Sequence, residues 1–103
     1  MTFEAKERDL MLEALDRGEG VFVKVYGSKS RMRKGEKDAA RLILQTGKDV
    51  PVMLLRMVCM GLEYLYFCEN RQGEGIAPLL ARLESICGYK RFGMAMLDAR
   101  AQA

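Results

Sequence analysis

Cys59, Cys68 and Cys87 are the only thiols in the chain, and no histidine stands anywhere to activate them. A thiol attacks as the thiolate, and its usual activators are a neighbouring imidazole or a fixed cation. The absence of histidine also removes serine–histidine nucleophiles, imidazole metal ligands and acid–base work near neutral pH. The three cysteines show no CxxC spacing, which fits reduced thiols better than a disulfide framework. If the chain turns back on itself near Gly73, positions summing to about 146 face each other, and Cys59 meets Cys87. Two buried core thiols are the simpler reading of that pair, and a redox couple is the alternative. Carboxylates offer little more. Glu4, Glu7, Asp9 and Glu13 read as the solvated face of a first helix. The segment GEGIAP at residues 73–78 follows a helix and lacks the third glycine of a dinucleotide fingerprint. The expectation is a protein with no catalytic residues, no cofactor and no metal.

What remains is recognition. Met53, Met57, Met60, Tyr64 and Phe67 are spaced 4, 3, 4 and 3 apart, the rhythm of a helix–helix seam. Thioether side chains repack at low cost, so a methionine and aromatic seam suits an adaptable binding surface. About a quarter turn away, Leu54, Val58, Gly61, Leu62 and Leu65 form an ordinary core stripe. Arg56 and Glu63 share the remaining edge. The chain's own helices can cover one stripe, while covering both requires nearly every other apolar residue. The seam is therefore expected to contact a protein partner, with burial under the first helix as the alternative. A basic run, Lys29, Arg31, Arg33, Lys34 and Lys37, gives a second candidate contact, for nucleic acid; a solvated loop explains it more simply. Tyr89, Lys90, Arg91 and Phe92 add a smaller basic and aromatic spot.

These residues need elements to hold them. Thr2 is placed to cap a first helix with Phe3, Leu10, Met11, Ala14 and Leu15 on its inner face, stopped by Gly18 and Gly20. GVFVKVYG then alternates Val21, Val23 and Val25 against Phe22, Lys24 and Tyr26, the pattern of a short strand. A lone strand leaves backbone groups unsatisfied, so this one is expected to pair with its copy in a homodimer. A basic segment at residues 28–37, a loop or a frayed helix start, leads to a helix at residues 36–46 with Ala39, Leu42 and Ile43 inward. Pro51 opens the central helix, residues 52–68. ENRQGEG makes a turn, Pro78 opens a helix carrying Leu79, Leu80, Leu83, Ile86 and Cys87, and a weaker terminal helix carries Phe92, Met96 and Ala99. The fold class expected is mainly α, with four to five helices and one short strand in the N-terminal half pairing between subunits.

At 103 residues the chain is expected to form one domain. Its net charge of +3 is too mild to imply a nucleic-acid partner by itself. The charged start carries no apolar leader segment, and the apolar run at residues 51–68 is short and interrupted by Arg56 and Glu63. Both point to a cytoplasmic protein without a membrane partner.

The stretch GVFVKVYG followed by DAARLILQTGKDVPVMLLRMVCMGLEYL resembles the ribbon-helix-helix repressors over about half of the chain. That resemblance implies a DNA-binding repressor whose strand pairs across a dimer and reads the major groove, with Lys24 as its polar reader. The whole chain, short, histidine-free, methionine-rich and helical with one self-pairing strand, is similar to the QslA-like antiactivators of quorum sensing. This second resemblance implies a regulatory protein that binds the ligand-binding domain of a LuxR-type transcription activator and blocks its dimerisation.

Overall fold

The computed structural model describes residues 3–91 and Gly93. Among them are four helices and no β-strand: α1 (Ala5–Tyr26), α2 (Lys34–Thr46), α3 (Val52–Glu63) and α4 (Ile76–Cys87). A 3-10 turn at Ser28–Ser30 joins α1 to α2, and α3 runs on into a π-helical turn at Tyr64–Cys68. None of these helices is long and apolar enough to cross a membrane. The expected terminal helix with Phe92, Met96 and Ala99, and the expected cap Thr2, lie outside the described residues. Helix α1 instead starts after Glu4, whose N–H donates to Glu7 Oε1 at 2.9 Å.

The expected strand is a correction. Val21, Val23 and Val25 belong to the last turns of α1, which passes straight through Gly18 and Gly20. Glycine spacing that reads as a helix stop is here a helix crossing. A Cβ on Gly18 would lie 2.0 Å from the Met57 carbonyl oxygen, and one on Gly61 would lie 1.8 Å from that of Ala14. Ala14 and Gly18 on α1, with Met57 and Gly61 on α3, thus let two backbones touch, and α1 against α3 is the largest helix pairing. That contact recruits residues 21–26 into helix. Val21 is 2% exposed and packs on Met60. The spacing of Phe22 and Tyr26 also suits a helix, and their rings lie 4.5 Å apart. All backbone donors of this segment are then satisfied within α1, so the need for a partner strand disappears.

The main core gathers Met11, Ala14 and Leu15 of α1, Leu44 of α2, Leu55, Val58, Cys59 and Leu62 of α3, Leu65 of the π-turn, and Ile76, Leu79, Leu80 and Leu83 of α4. The leucine and valine stripe of α3 is inside as expected, except that Leu54 is only partly covered. Helix α2 sits rotated from its expected pose: Ala40 and Leu44 are buried, whereas Leu42 is 62% exposed and Ala39 is exposed. Gly47, at φ 68°, ends α2 in the left-handed region that a side chain disfavours. The turn after the π-helix brings α4 back along α3, and the Cys59 and Cys87 sulfurs lie 3.8 Å apart.

Ion pairs tie the helices together over this core. Arg71 bridges Glu13 of α1 and Glu74 ahead of α4. Arg17 meets Glu69 at 2.5 Å, and Arg82 of α4 meets Glu7 at 3.2 Å.

Candidate functional site

Met53 and Met57, one helical turn apart on α3, form a ridge between two apolar grooves. On one side lies a groove of about 380 Å³ lined by Phe22, Tyr26, Arg56, Met60, Tyr89 and both methionines. On the other lies a groove of about 400 Å³ lined by Met32, Ala39, Ile43, Pro51, Leu54 and the same two methionines, with Glu36 as its charged residue. Met53 is 61% exposed, with Tyr26 at 62% and Val52 at 48% nearby in sequence or across the groove. Contiguous apolar surface with a polar rim marks interaction sites more often than isolated exposed residues do.

The five-residue seam does not stay together. Met60 is only 5% exposed and sits under Val21, with Phe22, Val25, Tyr64, Cys68 and Tyr89 around it. Tyr64 lines a separate depression with Asp16, Arg17, Val21 and Glu69. Phe67 packs edge-on to Tyr66 at 4.8 Å, with the Arg91 guanidinium 5.9 Å from its ring centre. Two causes separate them. The C-terminal turns of α1 lie across the seam at Met60, and the wider π-turn at Tyr64–Cys68 breaks the regular period that aligned the residues on paper. Phe22, Tyr26, Arg56 and Tyr89 are groove residues that sequence reading assigned elsewhere. The i, i+4 spacing of Phe22 and Tyr26 was the signal that could have placed two of them.

Two residues of the basic run, Arg31 and Lys37, are engaged by α1. Glu19, 3% exposed, accepts the Met32 backbone N–H and the Lys37 ammonium, each at 3.1 Å, with Arg31 at 3.9 Å. Asp16 and Glu19 together hold the Lys37 ammonium above its ordinary pKa, chiefly by hydrogen bonding. Arg33 lies 3.8 Å from Glu36. Lys29 and Lys34 are exposed. The strand that would carry Lys24 into a DNA groove is helical, so the described residues offer no ribbon for the ribbon-helix-helix arrangement.

Two buried groups could pass for chemistry. Glu63 is fully buried, and its carboxyl accepts the Tyr89 hydroxyl at 2.7 Å and the Gly93 N–H at 2.8 Å. Burial, and then the bond to Glu63, push the Tyr89 phenol well above its usual range. Burial likewise pushes the Cys59 thiol up, with Cys87 adding to the effect. Raising a thiol's pKa reduces its thiolate fraction, the opposite of nucleophile activation. A depression of about 550 Å³ around Phe3, Glu7, Leu10, Glu74 and Arg82 is crossed by the Arg82–Glu7 pair and by Arg82 over the Phe3 ring at 4.7 Å. Its charges serve to join α1 to α4. Among the described residues no three His, Cys, Asp or Glu side chains are grouped to hold a metal.

Comparison of the chain with protein-family models, with curated proteins and with solved structures finds no match.

Proposed function

We propose that this protein is a non-enzymatic regulator that binds and inactivates a protein partner through the Met53–Met57 ridge and its two grooves. The observation that carries the reading is the exposure of Met53 at 61% between two apolar grooves that share it and Met57. An unbranched thioether on a rigid helix can adapt to a partner without reorganising the backbone. In its finer form the proposal is an antiactivator, similar to the QslA-like proteins, that seats on a LuxR-type transcription activator and keeps it from dimerising. An apolar surface of this kind can take the place of a partner subunit.

The test uses purified full-length chain, wild type and Met53→Glu, mixed with the ligand-binding domain of a LuxR-type activator from the same host. Light scattering after gel filtration reads the species formed. Wild type is expected to convert the activator dimer into a mixed complex, and Met53→Glu to leave the dimer intact. A photo-crosslinking residue at position 53, expressed in the host, extends the test to any protein partner. If Met53→Glu keeps every interaction and oligomeric state of the wild type, the ridge is not the binding surface.

A further inference from the structure

Arg56 differs from most of the arginines around it. Arg17, Arg31, Arg33, Arg41, Arg71, Arg82 and Arg91 each have a carboxylate within 4.0 Å. Arg56 has none among the described residues. Its Nε donates to the Cys87 carbonyl at 3.0 Å, which fixes the guanidinium at the end of α4 while its two terminal nitrogens make no hydrogen bond to described residues. Lys90, on the same groove, also lacks a carboxylate neighbour, and no acidic side chain lines that groove, among the described residues. An apolar floor of Phe22, Met57, Met60 and Tyr89 is thus edged by two cations that no carboxylate among the described residues meets, one of them held in place in advance.

Resting on the protein-binding reading above, we propose that the occupant of this surface is an acidic amphipathic helix. Its apolar stripe lies along the Met53–Met57 ridge, and its flanking carboxylates meet Arg56 and Lys90. Three arguments converge. The ridge residues stand four apart on a straight helix, about 6 Å along its axis, which matches the i, i+4 spacing of anchors on a second helix. The described residues contain no strand, so an extended peptide finds no sheet edge to join. A guanidinium already fixed by a backbone carbonyl loses little freedom when its terminal nitrogens take a carboxylate.

The test is a display selection on immobilised full-length chain. The library is an 18-residue helical scaffold with leucines at i, i+4 and i+7 and flanking positions randomised among Glu, Lys, Gln and Ser. Selection on wild type is expected to enrich Glu at the flanks, and selection on R56E/K90E to enrich Lys there. Because R56E also removes the bond to the Cys87 carbonyl, K90E alone is run beside it, with a thermal melt of each variant confirming the fold. For a single selected acidic peptide followed by anisotropy, K90E should weaken binding about threefold to fivefold at low salt, with the difference shrinking at high salt. Flanks that favour Lys or show no charge preference on wild type would overturn the acidic partner. If those helices are still lost on Met53→Glu, the protein-binding surface stands without its charge rule. A selection that enriches no helix at all overturns the helical occupant, and the activator and crosslinking experiments above then judge the wider reading separately.

Discussion

Three glycines of α1 and α3 allow the helix crossing to be tested by adding one methyl group at a time. Gly20 is exposed and has nothing within 4 Å of where a Cβ would stand. Gly20→Ala should therefore show helix propensity alone, a gain of about 0.5–1 kcal/mol. Gly61→Ala receives the same gain but drives its Cβ to 1.8 Å from the Ala14 carbonyl oxygen, where real contacts stay above 3.0 Å. The obstacle is backbone, so α1 and α3 must part by about 1 Å, which forfeits a quarter to a half of each dispersion contact at the crossing. Overpacking of this kind costs about 1–3 kcal/mol and more where nothing yields. The net expectation is a loss of about 2 kcal/mol or more, or about 8–16 °C in Tm for a domain of this size. Gly18→Ala, meeting the Met57 carbonyl oxygen at 2.0 Å, should behave alike. The double variant should cost less than the sum, because one parting of the helices relieves both clashes. Urea unfolding followed by circular dichroism at 222 nm reads the four variants against wild type. A Gly20→Ala variant that loses stability would mean that α1 does not continue through residue 20. A Gly61→Ala variant within about 0.5 kcal/mol of wild type would mean that the close crossing does not exist.

Glu19→Ala should destabilise the fold by about 2 kcal/mol, a buried-pair loss discounted because Lys37 is partly exposed, and should speed amide exchange across residues 28–37; unchanged exchange there would refute Glu19 as the loop's anchor. The Tyr89 phenol is favoured in its neutral form, since burial and the Glu63 bond raise its folded-state pKa above the ordinary value of 10.0. Its contribution is therefore complete below about pH 10 and falls as pH rises beyond it, because the unfolded chain ionises first. Tyr89→Phe should lower stability by about 1–3 kcal/mol at pH 7 and flatten the alkaline decline, as urea midpoints measured from pH 7 to 11 would show. Native-state labelling with iodoacetamide should modify partly exposed Cys68 first, and reach buried Cys59 and Cys87 only on unfolding; fast labelling of Cys59 would contradict its packing.

The helical character, the span of the central helix through Cys68 and the facing of Cys59 and Cys87 were legible in the sequence, because hydrophobic period and turn residues act locally. The end of α1 was not. GVFVKVYG carries a strand's alternation and a helix's i, i+4 aromatic pair at once, and short β-branched runs do not choose between them. The choice was made by Gly18 and Gly61, whose missing side chains let α1 lie against α3 and carry Val21 onto Met60. The same contact divided the five-residue seam, burying Met60 and leaving the Met53–Met57 ridge open. The burial of Glu19 and Glu63 also depended on which donors tertiary packing brought to them, Lys37 and Met32 for one, Tyr89 and Gly93 for the other. The sequence by itself thus determined which residues could be apolar neighbours along each helix. Only the tertiary structure decided which face met which, because a glycine's meaning, helix stop or helix crossing, depends on a backbone far away in the chain.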